Sequence, residues 1–366
     1  MDKEKGYYKV LVINPGSTST AIAIFQGEKE LFKETIRHSF EELKRFKQLT
    51  DQYHFREQLI IQCLEQEKIS LSEFDAIVGR GGALSPLPSG TYYINQLMLE
   101  ELRERPRIEH ASNLGAQIAY ELAQKVNIPS FIVDPIAVDE LEPIARISGM
   151  PEIERVSLSH ALSLKAAARR TAQEMGKSYQ ELNLIVVHLG GGISVSAHCS
   201  GKMIDVNDAS SEGPFSPERT GSVPEQALIK MCYSGQYTQD DMCRKIMGKG
   251  GIVAYLGTNN TLEVEELIAR DDHKAELIYR AMAYQIAKSI GEMATVLKGK
   301  VNRIVITGNG ARDRGALGNT FVNWIKERVE FIAPVLVYPG SEEMKALALG
   351  AIRVLSGEEE AKVYGG

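Results

Sequence analysis

The sequence predicts an α/β protein with two related halves. Within Leu184–Asp205, a continuous apolar run leads into three glycines and returns as alternating apolar and polar residues, which indicates two strands joined by a tight turn. Lys9–Phe25, near the N-terminus, repeats this design of strand, turn and strand. Segments with apolar residues at helical spacing separate the predicted strands. The chain is long enough for about two domains, so we expect each half to form its own core.

The glycine turn of the later hairpin suits the binding of an anion. Gly190, Gly191 and Gly192 have no Cβ, so the backbone can turn tightly there and point several N–H groups at one phosphate. His188 stands just before this turn, where its ring could donate to the same anion. A plain hairpin with a core histidine is the alternative interpretation of this segment alone.

The earlier hairpin offers polar side chains where the later one offers bare backbone. Its turn carries one amide and three hydroxyls, from Asn14, Ser17, Thr18 and Ser19. A third strand, beginning near Arg303, runs into a glycine turn at Gly308-Asn309-Gly310. The three turns predict two related halves that face one ligand, and three unrelated loops are the alternative.

Short apolar runs predict the other strands, and helical spacing of apolar residues predicts the helices. We expect further strands at Glu28–Ile36, Phe74–Val78, Phe131–Val133, Val301–Thr307 and Val335–Val337. We expect helices at Phe40–Glu67, Ala111–Val126, Arg155–Met175, His273–Lys298 and Phe321–Val329. We also expect a C-terminal helix that ends at Leu355, and a helix that connects the two halves between about residues 139 and 160. The Ser-, Gly- and Pro-rich stretch Asn207–Pro224 predicts a long loop that is either functional or disordered.

Two arginines and one aspartate stand in loops beside predicted elements. Arg80 lies between glycines directly after a strand, where its planar donor fork suits a carboxylate or a phosphate, and Leu84–Gly90 beyond it could line a small pocket. Arg219 lies in the long loop, and Asp134 follows a buried strand, a common place for an active-site carboxylate. A surface arginine in a flexible loop and a turn aspartate are the alternatives for Arg80 and Asp134.

Composition excludes several classes of partner. The 366 residues have hydrophobic and charged fractions of 43% and 25%, which are ordinary for a globular protein. A net charge of −6 without a long basic run argues against nucleic acid as a partner. The 4 scattered cysteines form no CxxC pair and indicate free thiols. Free thiols, a charged N-terminus and the lack of a long apolar run together predict a cytoplasmic protein that does not enter a membrane.

Several common motifs are absent from the sequence. It has no GxxxxGK[ST] phosphate loop, no complete GxGxxG, no GxSxG nucleophile elbow and no HExxH. The features that remain are phosphate-binding turns, two loop arginines, an aspartate at a strand end and a late glutamate. They fit phosphoryl transfer by positioning and charge neutralisation.

Seven motifs, in order, resemble the acetate kinase family: VINPGSTST, VGRGGALSP, IVDP, VVHLGGGISV, SPERTGS, VITGNGA and YPGSEEMKALA. Pro15 and the triple glycine are most similar to the family's branch of butyrate and branched-chain carboxylic acid kinases. The resemblance implies an actin-like ATPase fold: two duplicated ribonuclease H-like domains, each with a mixed sheet and flanking helices, around a central cleft. We place the domains at residues 1–155 and 156–366, with the last helix able to pack on the first domain.

The resemblance also implies a reaction and roles for the candidate residues. The reaction is reversible transfer of a phosphoryl group from ATP, with magnesium, to butanoate or a related short-chain carboxylate, in a homodimer or a multiple of dimers. Arg80 and Arg219 would clamp the carboxylate and the phosphoryl group. Asp134 would orient the nucleophile or an arginine, and His188 would donate to the phosphoryl oxygens. The other implied contacts are Ser17, Ser19, Gly190, Gly191, Gly192, Gly308, Asn309 and Gly310 for ATP, and Asn14 and Glu342 for magnesium.

Three positions depart from the usual family pattern: Ala21, Ser159 and Asn260, where Lys, Phe and Asp are common. We assign no role to His160, which follows Ser159. The sequence does not decide between Glu342 and Glu343 at the metal, although the motif favours Glu342, and it does not rank acetate, propanoate, butanoate and isobutanoate. A kinase of another small acceptor, such as a sugar acid, and a non-catalytic actin-like nucleotide-binding protein are the alternatives.

Overall fold

The computed structural model describes residues 5–313, 315–340 and 342–365. In these ranges the chain forms twelve strands, β1 to β12 in order: Lys9–Pro15, Ser19–Gln26, Lys29–Arg37, Ala76–Gly79, Thr91–Tyr93, Ser130–Val133, Leu184–Leu189, Ile193–Cys199, Lys202–Val206, Arg303–Gly308, Val335–Pro339 and Lys362–Val363. The thirteen α-helices of the same ranges, α1 to α13, are Phe40–Leu43, Tyr53–Gln66, Gln96–Glu104, Asn113–Gln124, Pro143–Arg146, Ala161–Glu174, Glu225–Cys232, Gln239–Ile246, Ile252–Leu256, Thr261–Ala269, His273–Val296, Thr320–Val329 and Glu343–Leu355. None of these helices has the length and apolar character that crossing a membrane requires.

The chain divides into two compact units, Met1–Val138 with Glu342–Gly366, and Asp139–Ser341. The predicted division, 1–155 and 156–366, places the segment from residue 139 to 155 in the first half. In the structure this segment belongs to the second unit, where Glu142 N donates to Ile204 O at 3.0 Å. The last helix, α13, lies in the first unit.

The sheets of the two units repeat one topology. In the first unit β3, β2 and β1 are antiparallel neighbours, and β1, β4 and β6 are parallel neighbours. In the second unit β9, β8 and β7 are antiparallel, and β7, β10 and β11 are parallel. The strands β5 and β12 extend only the first sheet. The same strand order in both sheets agrees with the prediction of two related halves.

Each sheet has its own apolar core. In the first unit β1 and β2 pack with α2 and α4, through residues such as Ile13, Ile60 and Ile118. In the second unit β7, β8 and β10 pack with α11 and α12. The parallel strands read as continuous apolar runs because helices also cover their other faces, α13 on β1 and α6 on β7.

Three predicted helices are shorter than expected or interrupted. The stretch Phe40–Glu67 splits into α1 and α2, with a 3-10 turn at Leu49–Gln52 between them. The predicted helix Arg155–Met175 begins only at Ala161, and the expected connecting helix between 139 and 160 is reduced to the four residues of α5. Gly149 and Pro151 follow α5 and disfavour its continuation.

The polar side of β8 is buried as completely as its apolar side. Ser196 Oγ donates to Val186 O at 3.0 Å and lies 2.8 Å from His198 Nε2, while His198 Nδ1 bonds the Tyr179 hydroxyl. Burial lowers the pKa of His198 well below its usual value, so this ring is neutral at pH 7. The alternation in the sequence therefore marks a polar network inside the unit.

Lys165 ties α6 to the β8–β9 hairpin through a buried ion pair. Its Nζ donates to Glu140 Oε2 at 2.5 Å and to Gly201 O at 3.2 Å, and the same Glu140 oxygen accepts from Met203 N at 2.8 Å.

We expect Lys165→Met to lower the free energy of unfolding by about 3 kcal/mol, because Glu140 stays shielded from water without its cation. Urea denaturation measures this, and Lys326→Met, in an exposed pair with Glu330, should leave the midpoint unchanged. An unchanged midpoint in Lys165→Met would contradict the expectation.

Candidate active site

In the first unit, three predicted site residues stand at the ends of three neighbouring parallel strands. Asn14 lies near the end of β1, Arg80 follows β4, and Asp134 follows β6. Because the carboxyl ends of parallel strands meet at one edge of a sheet, the three residues share that edge. Arg80 N donates to Ile13 O at 2.9 Å, which joins the end of β4 to β1.

Glu343, at the start of α13, contacts two of these residues. Its Oε2 accepts from Asn14 Nδ2 at 3.2 Å and from Arg80 Nη1 at 2.5 Å. The side chains of Arg80 and Glu343 are only 13% and 23% exposed, so the pair is partly shielded from water. The YPGSEEMKALA motif favours Glu342 as the metal ligand. In the structure it is the carboxylate of Glu343 that contacts Asn14.

The donor set in this corner suits a magnesium ion. The described ranges hold no group of three or more His, Cys, Asp or Glu residues arranged to bind a metal. Mg²⁺ usually takes only one or two carboxylates from a protein, and waters and substrate phosphates complete its shell. Glu343 Oε2 is bonded to Arg80 and to Asn14 Nδ2, so the oxygen atoms that fit the ion are Asn14 Oδ1 and Glu343 Oε1.

Close backbone packing fixes the position of Arg80. A Cβ on Gly79 would lie 2.1 Å from Gly115 O, and a Cβ on Gly115 would lie 2.4 Å from Arg80 O. Helix α4 therefore rests directly on the backbone of residues 79 and 80, which only glycine permits. Arg80 is held by the fold and is not the exposed arginine of a flexible loop.

Asp134 holds the segment that the sequence assigns to a small pocket. Its Oδ1 accepts from Ser89 Oγ at 2.6 Å and from Gly90 N at 2.8 Å, and its own N donates to Gly90 O at 3.0 Å. Asp134 is buried and has a φ of +39°, which is uncommon for a residue other than glycine and concentrates at functional sites. The carboxylate thus orients the backbone at the end of Leu84–Gly90.

In the second unit, His188 lies near the end of β7 and stacks on His160, which immediately precedes α6. The two ring centroids are 4.3 Å apart and the ring planes differ by 20°. His160 Nδ1 lies 2.9 Å from Ser194 Oγ, on the neighbouring strand β8. A Cβ on Gly190 would lie 2.9 Å from His188 Nε2, so this glycine leaves room for the ring at the turn. His160 has no assigned role from sequence, because Ser159 replaces the Phe that usually precedes it, and no local pattern points to its stacking on a ring of another element.

Arg219 reaches the same glycine turn from the long loop. Its Nη1 donates to Ala209 O at 2.7 Å, and its buried Nε has no acceptor among the described residues. Burial lowers the pKa of Arg219 from its usual value, although Glu218 and Asp208 nearby oppose this. A buried guanidinium donor without an acceptor is what an anion-binding site offers before its ligand arrives.

Gly192 sets the position of Arg219. A Cβ at Gly192 would lie 2.4 Å from Arg219 Nη1 and 2.6 Å from its Cζ. We expect Gly192→Ala to displace the guanidinium and lower kcat by about 10²-fold, since a shift of about 1 Å is costly in an oriented site. Gly291→Ala is the matched control, because a Cβ there meets nothing within 4 Å. Steady-state kinetics compare the two, and wild-type turnover in Gly192→Ala would refute this placement.

The third glycine turn packs against the second. A Cβ on Gly308, whose φ is +101°, would lie 2.3 Å from Leu189 O, and a Cβ on Gly310 would lie 3.0 Å from Leu189 Cβ. Because β7 and β10 are parallel neighbours, their carboxyl ends bring His188 and the turn Gly308-Asn309-Gly310 to one edge of the second sheet. The structure therefore groups the predicted residues by unit, with Asn14, Arg80 and Asp134 on one sheet edge and His188, Arg219 and the two glycine turns on the other.

Comparison with known proteins gives this arrangement a family context. The sequence model of the acetokinase family matches residues 154–318. The probable butyrate kinases of two Clostridium botulinum strains, Alaska E43 (type E3) and Eklund 17B (type B), are each 52% identical over 358 residues, which cover 98% of this chain and 99% of theirs.

Solved structures give the same fold. The acetate kinase of Porphyromonas gingivalis matches with a TM-score of 0.76 and 20% identity, over 95% of this chain and 100% of that one. A propionate kinase of Francisella tularensis matches with a TM-score of 0.70 and 18% identity, over 94% and 98%. These likenesses confirm the predicted actin-like ATPase fold.

Proposed function

Since the chain belongs to the acetokinase family, we propose that it transfers the γ-phosphoryl group of ATP to butanoate or a related short or branched-chain carboxylate. The observation that carries this proposal is the 52% identity with probable butyrate kinases over 98% of the chain. A carboxylate oxygen forms a bond to the γ-phosphorus in line with the breaking bond to the β–γ bridging oxygen. The products are an acyl phosphate and ADP, and the reaction is reversible.

The chemistry of the acceptor explains the choice of side chains. A carboxylic acid with an ordinary pKa is ionised at pH 7, so the reaction needs no general base. The obstacle is the approach of one anion to another, and fixed positive donors lower it. We assign Arg80 to the acceptor carboxylate, and Arg219 and His188 to the phosphoryl oxygens. Asp134 acts by positioning, since its Oδ1 holds Ser89 and Gly90.

The remaining predicted contacts serve the nucleotide. We assign Ser17, Ser19 and the turn Gly190–Gly192 to the phosphates, because hydroxyl groups and exposed backbone N–H groups bind phosphate oxygens. The turn Gly308-Asn309-Gly310 is assigned to the adenosine. His160, through its stacking on His188, is added as a residue that orients that ring.

Magnesium completes the proposed set of cofactors. Asn14 and Glu343 would hold the ion, with Glu342 beside them as the residue that the motif favours. When bound to the nucleotide, Mg²⁺ neutralises charge on its phosphates. Turnover that persists unchanged in excess EDTA would contradict this assignment.

We also propose a homodimer, or a multiple of dimers, and a cytoplasmic location. Light scattering coupled to gel filtration tests the first, and a monomer at micromolar concentration would contradict it. Cell fractionation tests the second.

A single assay tests the proposed reaction and its acceptor. Wild-type protein is incubated with ATP, Mg²⁺ and each acid from acetate to valerate, including isobutanoate, and the acyl phosphate is trapped by hydroxylamine. We expect hydroxamate formation with a maximum at butanoate or isobutanoate. A maximum at acetate would assign the chain to the other branch of the family. ATP binding without turnover of any acid would favour a non-catalytic nucleotide-binding protein.

A further inference from the structure

Arg56 belongs to none of the residue sets above, yet its side chain is fully buried behind the turn that joins β1 to β2. Helix α2 carries it there. Its Nη1 donates to Gly16 O at 2.7 Å and to Ser19 O at 3.0 Å, and its Nη2 donates to Ser17 O at 3.2 Å. One guanidinium therefore holds three carbonyl groups of the turn.

These bonds also set the direction of the turn's N–H groups. A trans peptide is planar, so the C=O of one residue and the N–H of the next point in opposite directions. By holding the carbonyl groups of Gly16 and Ser17, Arg56 directs the N–H groups of Ser17 and Thr18 away from itself. Successive N–H groups that point to one side form a concave site for an anion.

The charge of Arg56 faces neutral acceptors. Besides the three carbonyls, it bonds Thr20 Oγ1 at 3.2 Å and Gln52 Oε1, which lies 2.8 Å from Nη2 and 3.2 Å from Nε. Burial lowers the pKa of Arg56 to about 10, so it stays charged at pH 7. Burial, with Arg56 nearby, lowers the pKa of His38 to about 4, so that ring is neutral. A positive charge thus lies behind the turn. Because the protein interior has a lower dielectric constant than water, this charge interacts with a nearby anion more strongly than it would in water.

We propose that Arg56 is a positioning residue for phosphoryl transfer. It directs the N–H groups of the turn toward the phosphates and supplies positive charge behind them. This inference rests on the proposed function, because it deepens the role given there to Ser17 and Ser19. No sequence motif points to Arg56, which lies 40 positions from Gly16.

Gln52→Glu tests the charge while it keeps the shape. The new carboxylate can accept both bonds from Arg56, and its negative charge cancels the positive charge behind the turn. We expect calorimetry to show ATP binding weaker by about tenfold, with an unchanged or higher urea midpoint. Gln62→Glu, on the exposed side of α2, adds the same charge and should leave ATP affinity unchanged. Wild-type ATP affinity in Gln52→Glu would overturn the electrostatic role.

Arg56→Lys tests the orientation while it keeps the charge. A lysine has no planar fork and cannot hold the three carbonyls together. We expect kcat to fall by about tenfold while the KM for butanoate is unchanged. Wild-type kcat would overturn the orienting role. Both variants are assayed without urea and below their melting temperatures, so that the folded variants are compared with the folded wild type. Absence of acyl phosphate formation by the wild type would refute the proposed function, and the ATP affinity of Gln52→Glu would still decide whether the charge of Arg56 supports the binding of ATP.

Discussion

Arg219→Lys is expected to lower kcat for acyl phosphate formation by about 10²- to 10³-fold, which is the usual loss when one fixed donor to developing charge is removed. Arg219 is half-buried, and its Nε, itself shielded from water, has no acceptor among the described residues, so the proposed phosphoryl contact would satisfy this donor. Lysine keeps the positive charge but loses the planar fork, so the loss measures directed hydrogen bonding. Single-turnover kinetics with saturating ATP measure the step directly.

The control for Arg219 is Arg328→Lys, an exposed arginine of α12 in the same unit. It makes the same chemical change away from the glycine turns and should leave kcat unchanged. A wild-type kcat in Arg219→Lys, with the control also unchanged, would remove Arg219 from the reaction.

Arg80→Met is expected to lower kcat/KM for butanoate by about 10²- to 10³-fold, because the proposed charge-assisted hydrogen bonds from its guanidinium to the acceptor carboxylate would be lost. The effect should be concentrated in the KM for butanoate, and the KM for ATP should change much less. Since Arg80 also pairs with Glu343, Arg80→Lys is measured beside it to keep a cation near that carboxylate.

Arg103→Met removes an exposed arginine of α3 from the same unit and serves as the control. Its KM values should equal those of the wild type. If Arg80→Met raised the KM for ATP and left that for butanoate unchanged, the assignment of Arg80 to the acceptor would be wrong.

Much of the fold could be predicted because its signals are local. Apolar runs that end in polar or glycine turns placed β1, β7 and β10 within a few residues of their observed bounds. The same logic placed Arg80 and Asp134 at strand ends. Helices α4, α11 and α12 were placed equally well, but apolar spacing alone continued Phe40–Glu67 through the turn at Leu49–Gln52.

The side-chain contacts of the candidate site could not be predicted from local patterns. Glu343 meets Asn14 across 329 positions of sequence. The choice between Glu342 and Glu343 depends on where α13 begins, since Glu343 is its first residue and Glu342 is its N-cap, with a backbone outside the helical range. Arg56 is similar, because its partners in the turn are set by how α2 packs on the sheet.

The most direct test of the account follows the oxygen atoms of the acceptor. Butanoate labelled with ¹⁸O in both carboxylate oxygens is incubated with ATP, Mg²⁺ and hydroxylamine, and the released phosphate is analysed by mass spectrometry. Direct transfer places one carboxylate oxygen in the bond to phosphorus, and hydroxylamine then cleaves at the acyl carbon. We therefore expect butyryl hydroxamate, ADP and phosphate that carries one ¹⁸O. Label in AMP, or phosphate without label, would show that the carboxylate does not attack the γ-phosphorus and would contradict the account.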